Sequence, residues 1–261
     1  MKKRPITYRG LCLLAGLLML PPLCAQESVA VVNAASFEVG FPVSPGCWAS
    51  AFGDFASAGA GEGAAGSLPF PTTMAGVQIL VNDVAAALNF VGAAQINFLV
   101  PAETPAQGKV PFRVVVNGTT TFTGTLNMWP VSPGLLSVNP GDPTRPGAVL
   151  NQDFTLNGPG NPAERGEVIQ IFGVGADFAS FPAVPGSAAP SDPPVLTKTV
   201  PKVYVSTVEA AVQFSGMAPG LVNTWQINVV VPDKPFLKGQ TPIVAGIQGA
   251  KTNLVSIWVA K

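Results

Sequence analysis

Hydrophobic and polar positions alternate in short runs through most of this chain, and one such run returns. Gln95-Ile96-Asn97-Phe98-Leu99-Val100-Pro101 reappears as Gln226-Ile227-Asn228-Val229-Val230-Val231-Pro232. In the first copy Ile96, Phe98 and Val100 share one face of a strand, while Gln95, Asn97 and Leu99 take the other. Ile227, Val229 and Val231 repeat that arrangement. Pro101 and Pro232 end the two strands, because proline has no N–H to give to a ladder. The Gln and Asn side chains are expected to bond backbone groups of neighbouring loops, with ligand binding as the alternative use.

The landmarks around the two copies recur in the same order, so the chain is built twice. Val29-Ala30-Val31-Val32-Asn33 is answered by Ala148-Val149-Leu150-Asn151, and a strand ending at Phe52-Gly53 by one ending at Phe172-Gly173. A loop rich in Gly, Ala and Pro follows in each half, from Ala56 to Pro71 and from Ala176 to Pro194, without helical periodicity. Alternation resumes at Val77, Ile79 and Val81 and at Val203 and Val205. Beyond the shared motif the spacing is constant: Gly118 and Gly249, Leu126 and Ile257, and Met128 and Val259 each lie 131 positions apart. Seven additional residues within Met217 to Trp225 read as a surface-loop insertion in the second half.

Turn residues at matched positions between alternating runs predict hairpins. About seven short strands per half suit a two-layer antiparallel sandwich better than any helical or parallel design. We expect a first sandwich over residues 26–130 and a second over 131–261, joined at Trp129-Pro130-Val131-Ser132-Pro133-Gly134. Two prolines make that joint short and stiff, which predicts a preferred relative orientation.

Residues 1–25 differ from the rest. Lys2, Lys3, Arg4 and Arg9 precede an apolar run from Leu11 to Leu20 and then Pro21-Pro22-Leu23-Cys24-Ala25, the layout of a secretory signal peptide cleaved after Ala25. A lipoprotein reading would make Cys24 the lipidated residue, although Leu23 occupies a position where such signals carry a small residue. The apolar run falls short of the roughly 20 residues a membrane span needs, so the mature product is expected outside the cytoplasm, secreted or at the cell surface, with no transmembrane segment.

Four of the 14 basic residues lie in this leader, leaving 10 against 14 acidic side chains and a net charge near −4. Nucleic acid is therefore not an expected partner. Cys12 and Cys24 leave with the leader, so Cys47 stands alone and no intrachain disulfide can form. Cys47 reads either as a small apolar strand residue or as a reactive thiol.

With these landmarks placed, the mature chain resembles an uncharacterised secreted domain family of acidobacteria, the Solibacter-type C-terminal domain. The resemblance rests on Val31 to Phe37, Ser44 to Gly46, Leu68-Pro69, Gly76 to Ile79, the Gln95 to Pro101 motif, Asn161 to Ala163, Ala218 to Val222 and the Gln226 to Pro232 motif. Each half is also similar to an IPT/TIG-type immunoglobulin-like domain. Together these imply an all-β chain of two tandem immunoglobulin-like β-sandwiches, and no activity. Cys47 and Trp48 depart from the family pattern, which bears on local packing.

Catalytic constellations are not evident. The chain has no histidine, which removes Ser-His and Cys-His pairs and the usual zinc sites. Glu164 and Glu167 are the closest carboxylates, and Asp142 and Asp153 lie in Gly/Pro-rich sequence, but no calcium-loop spacing surrounds them. We expect no enzyme activity and no cofactor. Adhesion, matrix or envelope assembly is the leading expectation, with polysaccharide binding or an accessory role in carbohydrate processing as the alternative; the partner is an extracellular protein or polysaccharide. Trp258 is the candidate contact residue. If Ile257 and Val259 point inward, Trp258 faces the other way, where an indole can stack on a sugar or pack against a neighbour.

Overall fold

The computed structural model describes residues 29–261 and contains no helix among them. The proposed signal peptide lies outside the described residues. The first half carries β1 (Ala30–Asn33), β2 (Trp48–Phe52), β3 (Gly63–Ala64), β4 (Val77–Val81), β5 (Val84–Ala85), β6 (Ala87–Val91), β7 (Gln95–Leu99), β8 (Gly108–Val116) and β9 (Thr119–Met128). In the second half follow β10 (Gly134–Leu135), β11 (Val149–Leu150), β12 (Val168–Val174), β13 (Lys202–Val205), β14 (Val208–Ala210), β15 (Val212–Met217), β16 (Trp225–Val230), β17 (Gly239–Ile247), β18 (Ala250–Lys251) and β19 (Val255–Val259).

Each half forms two antiparallel sheets. One runs β1-β2-β7-β6-β3 and faces β5-β4-β8-β9; the other pair is β10-β12-β16-β15, with β11 also on β12, facing β14-β13-β17, to which β18 and β19 both add. Alternating side chains from both sheets fill the space between them, as in any aligned sandwich. Phe55, Ile79, Leu88, Ile96, Phe98 and Met128 fill the first core, and Ile169, Ile171, Trp225, Ile227, Ile243 and Ile257 the second. The chain is thus all-β, two immunoglobulin-like sandwiches in tandem.

The duplication extends to register and to irregularity. Ala51 opposes Ile96 as Ile171 opposes Ile227. A bulge between Leu88 and Phe90 recurs between Val212 and Phe214. Hairpin β8–β9 turns at Asn117-Gly118 and β17–β18 at Gln248-Gly249, both residues of each pair having positive φ, the conformation that matches strand twist in a two-residue turn. The last strand differs. Continuous β9 is replaced by β18 and β19, because Thr252 and Asn253 turn inward: Asn253 exchanges both amide hydrogen bonds with the backbone of Leu135 (2.8 and 3.0 Å).

From Val131 to Gly134 the joint between modules is buried rather than merely stiff, while Trp129 and Pro130 are exposed. Val131 and Leu135 belong to the second core. Asn33 donates to the Ser132 carbonyl (2.6 Å), Ser132 Oγ donates to the Pro42 carbonyl (2.6 Å), and Ser132 N–H donates to Gly175 O (2.9 Å). The Met217 to Trp225 insertion, expected as a surface loop, is mostly buried, with only Pro219, Gly220 and Leu221 exposed. Its apolar residues cover an apolar part of the first module's outer face: Val222 packs with Ala87 and Leu99 beside Trp48 and Phe70. Asn223 then donates to the Gly46 carbonyl (3.1 Å), and Phe70 N–H to Gly186 O (3.0 Å). An insertion into the second module thereby clasps the first.

Candidate ligand-binding cleft between the modules

Beside this clasp the modules leave a cleft of about 340 Å³. Trp48 enters it from the start of β2, half-buried, with its indole N–H donated to the Val222 carbonyl (2.8 Å). Phe70, from the first Gly/Ala/Pro-rich loop, meets the indole edge-on, ring centroids 5.7 Å apart. Together the two rings form an aromatic wall whose tilt is fixed from both modules.

Opposite in chemistry are two carboxamides. Asn97 lies on the outward face of β7, where its Oδ1 accepts from Ser50 Oγ (2.9 Å) and from Gln95 Nε2 (2.7 Å). Both acceptor sites of that oxygen are used, so the Asn97 amide can only donate outward, from Nδ2. Asn89 owes its position to the β6 bulge. Leu88 and Val91 both point into the core, so the two residues between them are turned out, and Asn89 lines the cleft with no hydrogen bond from its side chain to another described residue. Leu136, Val174, Leu221, Val222 and Thr224 close the side belonging to the second module.

No charged side chain lines the cleft. An apolar and aromatic wall facing a few unpaired amides, placed where two domains meet, is the usual make-up of a small-ligand site, and the volume falls at the small end of the common range of about 300–1,000 Å³. Without a carboxylate, imidazole or thiolate in reach it can hold and orient a ligand, and it supplies no general base or nucleophile. Cys47 sits beneath, fully buried against Ala35 and Val174. Burial pushes its thiol up to about 12, only partly opposed by hydrogen bonds with Ser44. It is a packing residue; the reactive-thiol reading is overturned by its enclosure.

The other residues singled out by sequence fall elsewhere. Ile96 and Ile227 are wholly buried at the centres of the two cores. Gln95 and Asn97 do not bond loop backbone as expected; they bond each other, and Gln226 and Asn228 repeat this (2.9 Å), with Gln170 standing where the first module has Ser50. A polar ladder across neighbouring outward positions explains the shared motif, and only its first copy borders the cleft. Pro101 is buried and Pro232 half-buried just past their strands.

Trp258 is half-buried on β19 in the second module's other sheet, away from the cleft, with its backbone N–H and C=O both held by the Asn157 side chain (2.7 and 2.9 Å). Glu164 and Glu167 form a turn in which Glu167 Oε2 accepts the Glu164 N–H (2.9 Å). Asp142 and Asp153 each accept the hydroxyl and N–H of the threonine two residues on, bonds that hold both carboxyls below their ordinary range. Among the described residues, no three His, Cys, Asp or Glu side chains gather as metal ligands would. Nor is any helix there long and apolar enough to cross a membrane.

Sequence reasoning missed Trp48, Phe70 and Asn89. Trp48 carried a signal, since it stood out against the resembled pattern, yet only as a packing irregularity.

No protein-family model matches the chain, and no curated protein sequence matches it. Among solved structures it is similar to SGBP-B of the Bacteroides ovatus mixed-linkage glucan utilization locus, solved in complex with a mixed-linkage heptasaccharide (TM-score 0.36, 13% identity, 86% of this chain and 44% of that one). It is also similar to the surface glycan-binding protein PbSGBP-B of Prevotella bryantii (TM-score 0.26, 14% identity, 87% and 40%) and to the I9-I11 tandem of titin (TM-score 0.23, 9% identity, 89% and 66%). The chain spans less than half the length of the two glycan-binding proteins.

Proposed function

We propose that this chain is a non-catalytic extracellular binding protein whose interdomain cleft takes a segment of neutral polysaccharide. The observation that carries the reading is the pairing of the Trp48–Phe70 wall with the free amide groups of Asn89 and Asn97 in a cleft without charge. A sugar ring offers C–H faces to aromatic carbon and hydroxyls to carboxamides, and a neutral one brings no charge to be desolvated. A glycan array probed with residues 26–261 tests it. Retention on neutral oligosaccharides, reduced in Asn89→Ala, is the expected result; an array on which the wild-type chain binds nothing neutral overturns it.

Adhesion through a protein partner is a second reading, favoured by Phe41 and Trp129. These are 60% and 57% exposed, and the chain segments bearing them are joined by Trp129 N–H donating to Val43 O (2.9 Å). Large exposed aromatics set close together are a feature of protein contact surfaces.

A further inference from the structure

A second concavity, of about 570 Å³, lies elsewhere, on the outward face of β13 and β17. The first module provides an internal comparison for it, because the same strand positions exist there with other side chains. In the first module, Gln78 opposes Val115 and Leu80 opposes Arg113; in the second, Lys202 opposes Gly246 and Tyr204 opposes Val244. Arg113 is committed to an ion pair with Asp83 (2.8 Å). The second module has exchanged that arrangement for an aromatic ring, a lysine and a glycine.

Gly246 is the telling exchange. Its φ is not in the left-handed region, and a Cβ built on it would meet nothing nearer than Ala250 O at 3.6 Å. Neither backbone nor packing demands glycine, and the consequence of having it is an open floor beside Tyr204. The rim is fixed as well. Gln248 holds a positive φ of 49°, uncommon for a residue other than Gly or Asn, and donates Nε2 to Asp177 Oδ2 (2.5 Å); Asp177, buried, also accepts from Thr199 Oγ1 (2.7 Å). Lys202 and Lys251 stand opposite Gly246 on its two sides, both exposed and neither in an ion pair among the described residues. Tyr204, half-buried, lines the groove and directs its hydroxyl towards Glu209 (3.4 Å).

Resting on the reading of this chain as a polysaccharide binder, we infer that this groove is a second subsite, which takes a uronate unit of an acidic polysaccharide. The sugar's C–H face covers Tyr204 above Gly246, and its carboxylate lies between the two lysines, which have no ion-pair partner among the described residues. Residues 26–261 carry 10 basic against 14 acidic side chains, so the attraction is local and belongs to this face.

Titration calorimetry with an oligogalacturonate and, separately, a neutral gluco-oligosaccharide tests the assignment. Gly246→Val refills the groove with the residue the first module carries at Val115, so the fold is expected to tolerate it. The expected results are oligogalacturonate binding that weakens with added salt, is lost in Gly246→Val, drops about tenfold or more in the Lys202→Gln/Lys251→Gln double variant, and is unchanged in Asn89→Ala. Wild-type protein that does not bind oligogalacturonate, or Gly246→Val protein that binds it as wild type does, overturns the subsite. Failure of the interdomain cleft reads out separately, as neutral-sugar binding that is absent or indifferent to Asn89→Ala.

Discussion

The indole N–H of Trp48 is bonded to the carbonyl of Val222, 2.8 Å away and 174 residues further along the chain. That bond ties β2, the strand next to the motif-bearing β7 in one module, to the clasp of the other, and it sets the angle of the wall on which the cleft is built. Trp48→Phe removes the donor while keeping a ring, leaving the Val222 carbonyl with the Thr224 hydroxyl alone (3.1 Å). We expect a loss of about 0.5–1.5 kcal/mol in urea unfolding together with weaker ligand binding.

Gly46 stands at the same seam. Its φ is +69°, and a Cβ there would fall 2.0 Å from Phe181 Cε1 of the second module, a position where no alanine fits unless the ring withdraws. Gly46→Ala should therefore loosen the two modules as well as strain the turn, at a cost of about 1–3 kcal/mol. Faster proteolysis between modules and a lower melting temperature would report it; an unchanged protein would mean that the seam yields easily.

Ile96 and Ile227 anchor the two cores from equivalent registers, opposite Ala51 and Ile171. Each Ile→Ala variant should lose about 2–5 kcal/mol in chemical denaturation. Losses under about 0.5 kcal/mol at both sites would contradict the inward assignment.

The duplicated fold was legible in sequence because its signals are local. Alternation around Ile96 and Ile227, the paired turns at Gly118 and Gly249, and the terminating prolines each follow from neighbouring residues. Inward placement of Leu126, Met128, Ile257 and Val259 followed from period two alone, and all four are buried. The cleft was not legible in this way. It depends on Trp48 meeting Val222 and on a bulge turning Asn89 outward, neither of which has a periodic signature. The clasp was misread for a related reason: Ala218 to Val222 looks like turn sequence, its tip at Pro219 to Leu221 is indeed exposed, and only the apolar patch formed by Ala87 and Leu99 on the other module explains why Val222 is buried.

Cys47 gives a prediction with a definite sign. Its thiol ionises at about 12 in the folded protein against an ordinary 9.0, so folding favours the protonated form. The stabilising contribution is complete below pH 9 and is lost as pH rises from about 9 towards 12, where the unfolded chain releases the proton and the folded chain keeps it. Cys47→Ala should flatten the decline in stability over that window. A thiol reagent at pH 8 should label the wild-type protein only after unfolding; rapid labelling of folded protein would contradict the burial.

The account rests most heavily on Asn89, in an uncharged cleft, turned there by a bulge and with no hydrogen-bond partner for its side chain among the described residues. Its most direct test is titration of wild-type and Asn89→Ala protein with the neutral oligosaccharide best retained on the array, alongside thermal melts of both. The account predicts saturable binding by the wild type, at least about tenfold weaker binding by the variant, and melting temperatures that agree. Equal affinity in the two proteins at equal stability would contradict it.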